Sequence, residues 1–152
     1  MISPGDIAPD FELLNSEREP VRLSEYRGKR VVIYFYPKAG TSSCTIQARG
    51  FRDNFDRIEA SNGIVMAISP DKPEALASWK KKEKIPFLLL SDPDHQVAEL
   101  YGVWGEKMMF GRTVVGILRS HFVIDGEGRI EDAQVKVTAK ASVSKALETV
   151  EG

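Results

Sequence analysis

Val31-Val32-Ile33-Tyr34-Phe35-Tyr36 is apolar or aromatic at every position, and no other stretch constrains the fold as much. A short run rich in β-branched and aromatic side chains fits a central strand covered on both faces. The chain leaves it through the loop Pro37-Lys38-Ala39-Gly40-Thr41-Ser42-Ser43 and enters helical periodicity. Cys44, Ala48, Phe51, Phe55 and Ile58 recur at spacings of four and three, so residues 43–60 are predicted as one helix with one apolar stripe. Its other face is charged, with i, i+4 pairs Arg49/Asp53, Arg52/Asp56 and Asp53/Arg57. Ser42 or Ser43 is the expected N-cap, although no Glu or Gln three residues on completes a capping box.

The rest of the chain alternates between the two periodicities. Phe11–Leu14 and Val21–Leu23, joined by a polar turn through Pro20, read as an N-terminal β-hairpin. Gly63–Ser69 is a predicted strand, Pro73–Lys84 a helix, Phe87–Leu90 a short strand, and Asp94–Tyr101 a helix stopped by Gly102. Gly105-Glu106-Lys107 reads as a loop leading to Met108, Met109 and Phe110. Ile117–Asp125 and Arg129–Val137 flank Gly126-Glu127-Gly128 as a closing hairpin, and residues 139–150 form a last helix with Val143, Ala146, Leu147 and Val150 on one face. Strands alternating with helices predict an α/β fold; the closing hairpin predicts a mixed central sheet flanked by helices. No linker or repeat divides residues 1–152, so a single domain is expected.

Charge and cysteine content exclude several classes of function. With 21 basic and 22 acidic residues, nothing argues for a nucleic-acid or membrane partner, and Lys80-Lys81-Lys82-Glu83-Lys84 reads as a solvated helix face. Met1-Ile2-Ser3-Pro4-Gly5-Asp6 has no basic segment followed by an apolar one, so no signal peptide is expected. No apolar run approaches the ~20 residues that span a bilayer. One cysteine cannot form an internal disulfide, and a cytoplasmic location is the expectation. His95 and His121 with one cysteine are too few for a metal site, and no phosphate-binding glycine motif is present, so neither metal nor cofactor is expected.

Cys44 itself has two readings. It is either the first buried knob of the helix stripe or a reactive thiol at a strand-to-helix junction. Helix N-termini offer unpaired N–H groups and partial positive charge, which favour a thiolate, and Thr41, Ser42, Ser43 and Thr45 are expected to keep this entrance partly wet.

Pro37-x-x-x-Thr41-x-x-Cys44 resembles the active-site signature of the peroxiredoxins. The resemblance covers almost the whole chain. Gly5-Asp6-Ile7-Ala8-Pro9-Asp10-Phe11 is similar to the family's N-terminal start, and Ser91–Gln96 and Tyr101–Lys107 are similar to its peroxiredoxin Q branch, also called bacterioferritin comigratory protein. Arg119, in Gly116-Ile117-Leu118-Arg119-Ser120, falls where the family keeps its active-site arginine. The resemblance implies a thioredoxin-like fold and reduction of hydrogen peroxide and organic hydroperoxides. It gives Cys44 the nucleophilic role, Thr41 a peroxide-orienting hydroxyl and Pro37 a shielding wall. Without it, Arg119 reads equally as an exposed strand residue sharing a face with Ile117, His121 and Val123. Gln47, one turn past Cys44, is either a support for Arg119 or a solvated helix residue.

The chemistry explains why a cation is needed. Lowering any thiol from a pKa of ~8.5 to ~6 takes ~3.4 kcal/mol of differential stabilisation. A helix N-terminus supplies ~0.3–1 kcal/mol, at best ~2. Full ionisation gains only about 30-fold in thiolate, so most of the acceleration must come from donors that hold the two oxygens in line. The sequence also departs from the branch: the common resolving cysteine, five residues after the reactive one, is here Arg49, and the alternative position is Ala98. A 1-Cys cycle is therefore implied, in which Cys44 becomes a sulfenic acid and an external thiol such as thioredoxin, glutaredoxin or a small thiol resolves it. The branch also implies a monomer or weak homodimer. The competing reading is a thioredoxin-like redox-sensing or binding domain without efficient turnover. A dithiol exchanger is disfavoured because Thr41 stands where its first cysteine would be.

Overall fold

A computed structural model of the protein describes residues 2–152. Its strands are β1 (Glu12–Asn15), β2 (Pro20–Arg22), β3 (Arg30–Phe35), β4 (Gly63–Ser69), β5 (Leu88–Ser91), β6 (Trp104–Met109), β7 (Arg112–Ile117), β8 (Ser120–Ile124) and β9 (Ile130–Val135). The helices are α1 (Ser42–Asp53), α2 (Phe55–Ala60), α3 (Pro73–Glu83), α4 (Gln96–Leu100) and α5 (Ala139–Glu151). Seven strands make one mixed sheet in the order β2-β1-β5-β4-β3-β8-β9, with β3–β4 and β4–β5 parallel and the other pairs antiparallel. This is the thioredoxin-like α/β arrangement that the sequence implies. The N-terminal hairpin extends the sheet, because β1 pairs with β5.

The strand β3 lies between β4 and β8, and its side chains alternate between two cores. Val32, Tyr34 and Tyr36 pack with Cys44, Ala48 and Phe51 of α1, Leu76 and Trp79 of α3, and Val143, Ala146 and Val150 of α5. Ile33 and Phe35 point the other way, onto Phe11, Leu23, Val97, Tyr101 and Phe122. Each such side chain, fully buried, contributes about 1.5–3 kcal/mol. The α1–α5 contact is close because residue 50 is glycine: a Cβ there would sit 2.7 Å from Val143 Cγ2.

Four expectations need correction. The helix over 43–60 is two helices, broken at Asn54, whose φ of −110° and ψ of 9° leave the helical region and whose Nδ2 donates to the Gly50 carbonyl at 2.8 Å. A side-chain amide that satisfies a terminal carbonyl competes with continuation of the helix. Of the i, i+4 charge pairs, none forms among the described residues; Arg49 pairs with Glu83, Arg52 with its neighbour Asp53, and Arg57 with Glu151. Tertiary partners on α3 and α5 outbid the local ones. Finally, Gly105-Glu106-Lys107 is not a loop. It lies in β6, which pairs with β7 as a separate two-stranded hairpin turning at Phe110 and Gly111, both with positive φ. The strand expected from Ile117 is accordingly interrupted: Ile117 ends β7, Ser120 begins β8, and Arg119 lies in the corner between them.

Candidate active site

The loop from β3 to α1 is built from the sheet outward. Pro37 ends the strand run half-buried, and the Ala39 N–H donates to Asp71 Oδ2 at 2.8 Å. Asp71 is held in turn by the Ser69 hydroxyl at 2.8 Å, and its carbonyl accepts from Ser91 Oγ at 2.6 Å. Gly40 then turns the chain at φ +84°, a conformation that costs a residue with a Cβ about 1–2 kcal/mol. Nothing in the spacing of the sequence marks Asp71 for this part.

Thr41, rather than Ser42 or Ser43, is the N-cap of α1, and its side chain makes no capping bond. Its hydroxyl donates to the Lys38 carbonyl at 2.8 Å, so its oxygen lone pairs are left to accept. The first helical bond runs from the Thr45 N–H to the Thr41 carbonyl, at 2.9 Å. The Cys44 N–H is therefore the last of the helix's unpaired donors. Thr41, Ser42 and Ser43 are exposed as expected, but Cys44 is not partly wet: it is 1% exposed, because position 44 begins the stripe that α1 turns to the sheet. Cys44 is thus a packed residue of the stripe and also the one that faces Arg119.

The corner between β7 and β8 delivers Arg119 to this sulfur. Its carbonyl accepts from Val137 N–H at 2.9 Å, and the neighbouring Leu118 N–H donates to the Val103 carbonyl at 2.8 Å. The guanidinium then spreads over α1. Nη2 lies 3.3 Å from Cys44 Sγ and 2.9 Å from Ser43 Oγ, and Nη1 donates to Gln47 Oε1 at 2.5 Å. Gln47 is fully buried, not solvated, and its Nε2 donates to Ser142 Oγ at 3.0 Å. Of the five residues singled out from the sequence, the structure brings Cys44, Gln47 and Arg119 into direct contact, with Thr41 at the head of the same helix and Pro37 at the start of the same loop. Ser43 is a guanidinium partner that sequence reasoning missed.

The β6–β7 hairpin roofs the other side of Arg119. A cavity of about 320 Å³ opens there, lined by Glu106, Lys107, Met108, Leu118, Arg119 and Lys136. Lys107 Nζ donates to the Ile117 carbonyl at 2.8 Å. Burial pushes its ammonium pKa down, the Arg119 charge adds to this, and Cys44 opposes it. The arrangement can hold a thiolate under a cation, with a free N–H and a hydroxyl acceptor nearby and a cavity on the other side of the guanidinium.

Comparison with known proteins agrees with this chemistry. The model of the AhpC/TSA family matches residues 4–133. The chain is 51% identical over 130 residues to Peroxiredoxin Bcp of Escherichia coli (strain K12), covering 86% of this chain and 83% of that protein. It is 43% identical over 149 residues to Peroxiredoxin Bcp of Bacillus subtilis (strain 168), covering 98% and 95%. Among solved structures, a cysteine-to-serine mutant of Xylella fastidiosa PrxQ superposes with a TM-score of 0.92 at 28% identity, covering 99% of this chain and 96% of that one. The bacterioferritin comigratory protein of Xanthomonas campestris, whose structures concern alkyl peroxide reduction, gives a TM-score of 0.87 at 28% identity, covering 93% and 90%.

Proposed function

The chain belongs to the AhpC/TSA family, among its Bcp and peroxiredoxin Q members, and is a thiol-dependent peroxidase; we propose that Cys44 is its peroxide-attacking thiol and that Arg119, Thr41 and Gln47 organise the attack. The single observation that carries this assignment is the guanidinium of Arg119 spanning Cys44 Sγ, Ser43 and Gln47. The Cys44 thiolate attacks one oxygen of ROOH. An S–O bond forms, the O–O bond breaks, and the departing alkoxide or hydroxide takes a proton to leave as alcohol or water. Developing charge on that oxygen needs donors, which the Arg119 guanidinium and the Cys44 N–H supply. Thr41, with its own proton committed to the Lys38 carbonyl, accepts the peroxide O–H and so orients the substrate. Pro37 shields the sulfur from solvent on the loop side.

The product is a sulfenic acid at Cys44. With one cysteine in the chain, no internal thiol can resolve it. An external thiol attacks the sulfur, water leaves, and a second thiol reduces the mixed disulfide, returning Cys44 and a donor disulfide. Thioredoxin, glutaredoxin or a small thiol is the donor in this reading, acting on a monomer or weak homodimer in the cytoplasm. In the cavity beside Arg119, Met108 and Leu118 offer apolar surface for an alkyl group, so organic hydroperoxides are substrates beside hydrogen peroxide in this reading. Stopped-flow oxidation of Cys44 by hydrogen peroxide and by an alkyl hydroperoxide tests this. Rapid, stoichiometric formation of a dimedone-reactive sulfenic acid is expected. Oxidation no faster than that of free cysteine would leave only a redox-sensing role.

A further inference from the structure

Gln47 does not end the chain of contacts from Cys44. Its Nε2 reaches Ser142 Oγ of α5 at 3.0 Å, and that oxygen lies 2.8 Å from His121 Nδ1 of β8. Gln47, Ser142 and His121 are all fully buried, on the sheet face that also buries Cys44 and Tyr34. The polarity of this chain can be worked out from one end. Arginine can only donate, so Gln47 presents Oε1 to Arg119 and Nε2 to Ser142. The Ser142 oxygen accepts that N–H, and since its only hydrogen-bond partners among the described residues are Gln47 and His121, its own proton goes to His121 Nδ1, which is then unprotonated. The imidazole proton is then on Nε2, which stands 3.4 Å from Asp132 Oδ2, an electrostatic approach without a formed hydrogen bond.

We propose that His121, acting through Ser142, is a positioning residue for the peroxidase, because the pair fixes which end of the Gln47 amide faces Arg119. The inference rests on the roles given above to Cys44 and Arg119. If His121 carried a proton on Nδ1, it would donate to Ser142 Oγ, and the Ser142 hydroxyl would donate toward Gln47. The amide would then satisfy the serine with Oε1 and present N–H groups to Arg119, which cannot accept them. The guanidinium would lose the partner that holds it over Cys44. The surroundings keep His121 neutral. Burial holds its pKa below the ordinary imidazole value and Lys145 of α5 adds to this, while Asp132 of β9 opposes them. Tyr34, its register partner on β3, is the other titratable group facing it, and burial keeps that phenol protonated. Arg119, two residues back, is the remaining charge.

The test is the second-order rate constant for Cys44 oxidation in Ser142→Ala, His121→Phe, His121→Asn and the Ser142→Ala/His121→Phe double variant. Thiolate content is followed separately by ultraviolet absorbance. Ser142→Ala and His121→Phe should each slow oxidation by about tenfold at neutral pH, the scale on which one buried hydrogen bond holds a group in place. The double variant should be no slower than either single one, because both break the same chain. His121→Asn, whose Oδ1 can take the serine proton, should recover to within about threefold of the parent. On acidification, the parent's rate should fall more steeply than its thiolate content, and that of His121→Asn should follow thiolate content alone. A folded Ser142→Ala with the parent's rate constant overturns the proposal, even where His121→Phe fails to fold. So do multiplying penalties in the double variant or identical acid limbs in the parent and His121→Asn. Failure of the underlying reading looks different: Arg119→Ala would then leave the rate unchanged as well.

Discussion

The two faces of the sheet are filled by the same strands, yet they treat polar atoms differently. On the face under α4, buried polar groups find hydrogen-bond partners: Tyr101 Oη donates to the Pro9 carbonyl at 2.7 Å, and Asp92 accepts from the Val97 and Ala98 N–H groups at 3.3 and 3.0 Å. On the Cys44 face, Tyr34 Oη, Tyr36 Oη, Trp79 Nε1 and His121 Nε2 are buried without a hydrogen-bond partner, and Gln47, Ser142 and His121 form a side-chain network. A buried polar group left unpaired costs about 1–3 kcal/mol, so the second face gives up stability that the first retains. Cys44, the proposed nucleophile, sits on the face that carries the polar network and the unpaired groups, while the opposite face secures the fold.

The sharpest test sets one residue from each face against the other. Cys44→Ser should reduce peroxidase turnover to a few per cent or less while the melting temperature stays within a few degrees, because the serine oxygen can still take the Arg119 Nη2–H. Phe122→Ala, on the other face, should cost about 3–5 kcal/mol of stability and leave the oxidation rate of the folded fraction unchanged. Slow Cys44 oxidation in folded Phe122→Ala would erase the division of labour between the faces.

Arg119→Lys comes next in size. Lysine keeps the charge but cannot reach Cys44, Ser43 and Gln47 from one planar fork, so the rate constant should fall roughly 10- to 100-fold at unchanged thermal stability. An unchanged rate would show that the cation acts as charge alone.

How far the sequence revealed each face follows from the same physics. The strand β3 and the stripes of α1 and α5 were legible because burial on a regular element leaves a period of two or of 3.6. The β6–β7 hairpin was not. It pairs with no strand of the main sheet, and polarity does not follow its burial: Met108, Val115 and the tip residue Phe110 are exposed while Lys107 and Gly116 are half-buried. Phe110 also occupies a positive-φ turn position where Gly, Asn or Asp is the usual signal. Cys44 and Thr41 stand out through a motif and Arg119 through the family resemblance, whereas Asp71, Ser43, Ser142 and His121 join the site through contacts between distant elements, which spacing along the chain does not encode. Arg119 was assigned to a strand because the residues around it alternate; the corner that aims it exists only because β7 leaves the sheet.

Acid should separate the two faces by a smaller amount. Unfolded His121 titrates near a pH of about 6.5, and burial holds the folded value lower. Between those values the unfolded chain binds the extra proton, so stability is fully present above the unfolded value and falls as pH drops below it. The limiting slope for one such group is about 1.4 kcal/mol per pH unit. Glu83 and Glu151, held low chiefly by hydrogen bonds from Arg49 and Arg57, begin to contribute only near and below their ordinary carboxylate range. Denaturant midpoints measured from pH 7 down to about 5 should therefore decline in the parent and stay flatter in His121→Phe. Parallel curves would mean that the imidazole is not the acid-sensitive element of this face.

The smallest expected effect probes whether every unpaired polar atom on the Cys44 face belongs to its chemistry. Tyr34 stacks on Phe51 with ring centroids 4.8 Å apart, and its hydroxyl is buried with no hydrogen-bond partner. Burial drives the phenol pKa far up, with Tyr36 and Cys44 adding to the shift, so the group stays protonated and cannot act as a base toward the thiol. Tyr34→Phe keeps the ring, the stack and nearly all of the volume while removing the unpaired oxygen. It should stabilise the protein by about 1 kcal/mol, since an unsatisfied hydroxyl is exchanged for an apolar edge. The oxidation rate should stay within about twofold, because no hydrogen bond joins Tyr34 Oη to Arg119, Gln47 or Ser142. A gain in stability at constant rate would confine the functional network to the Cys44–Arg119–Gln47–Ser142–His121 chain. A loss of rate with the gain in stability would extend that network into the aromatic core, and the cost borne by this face would then be functional throughout.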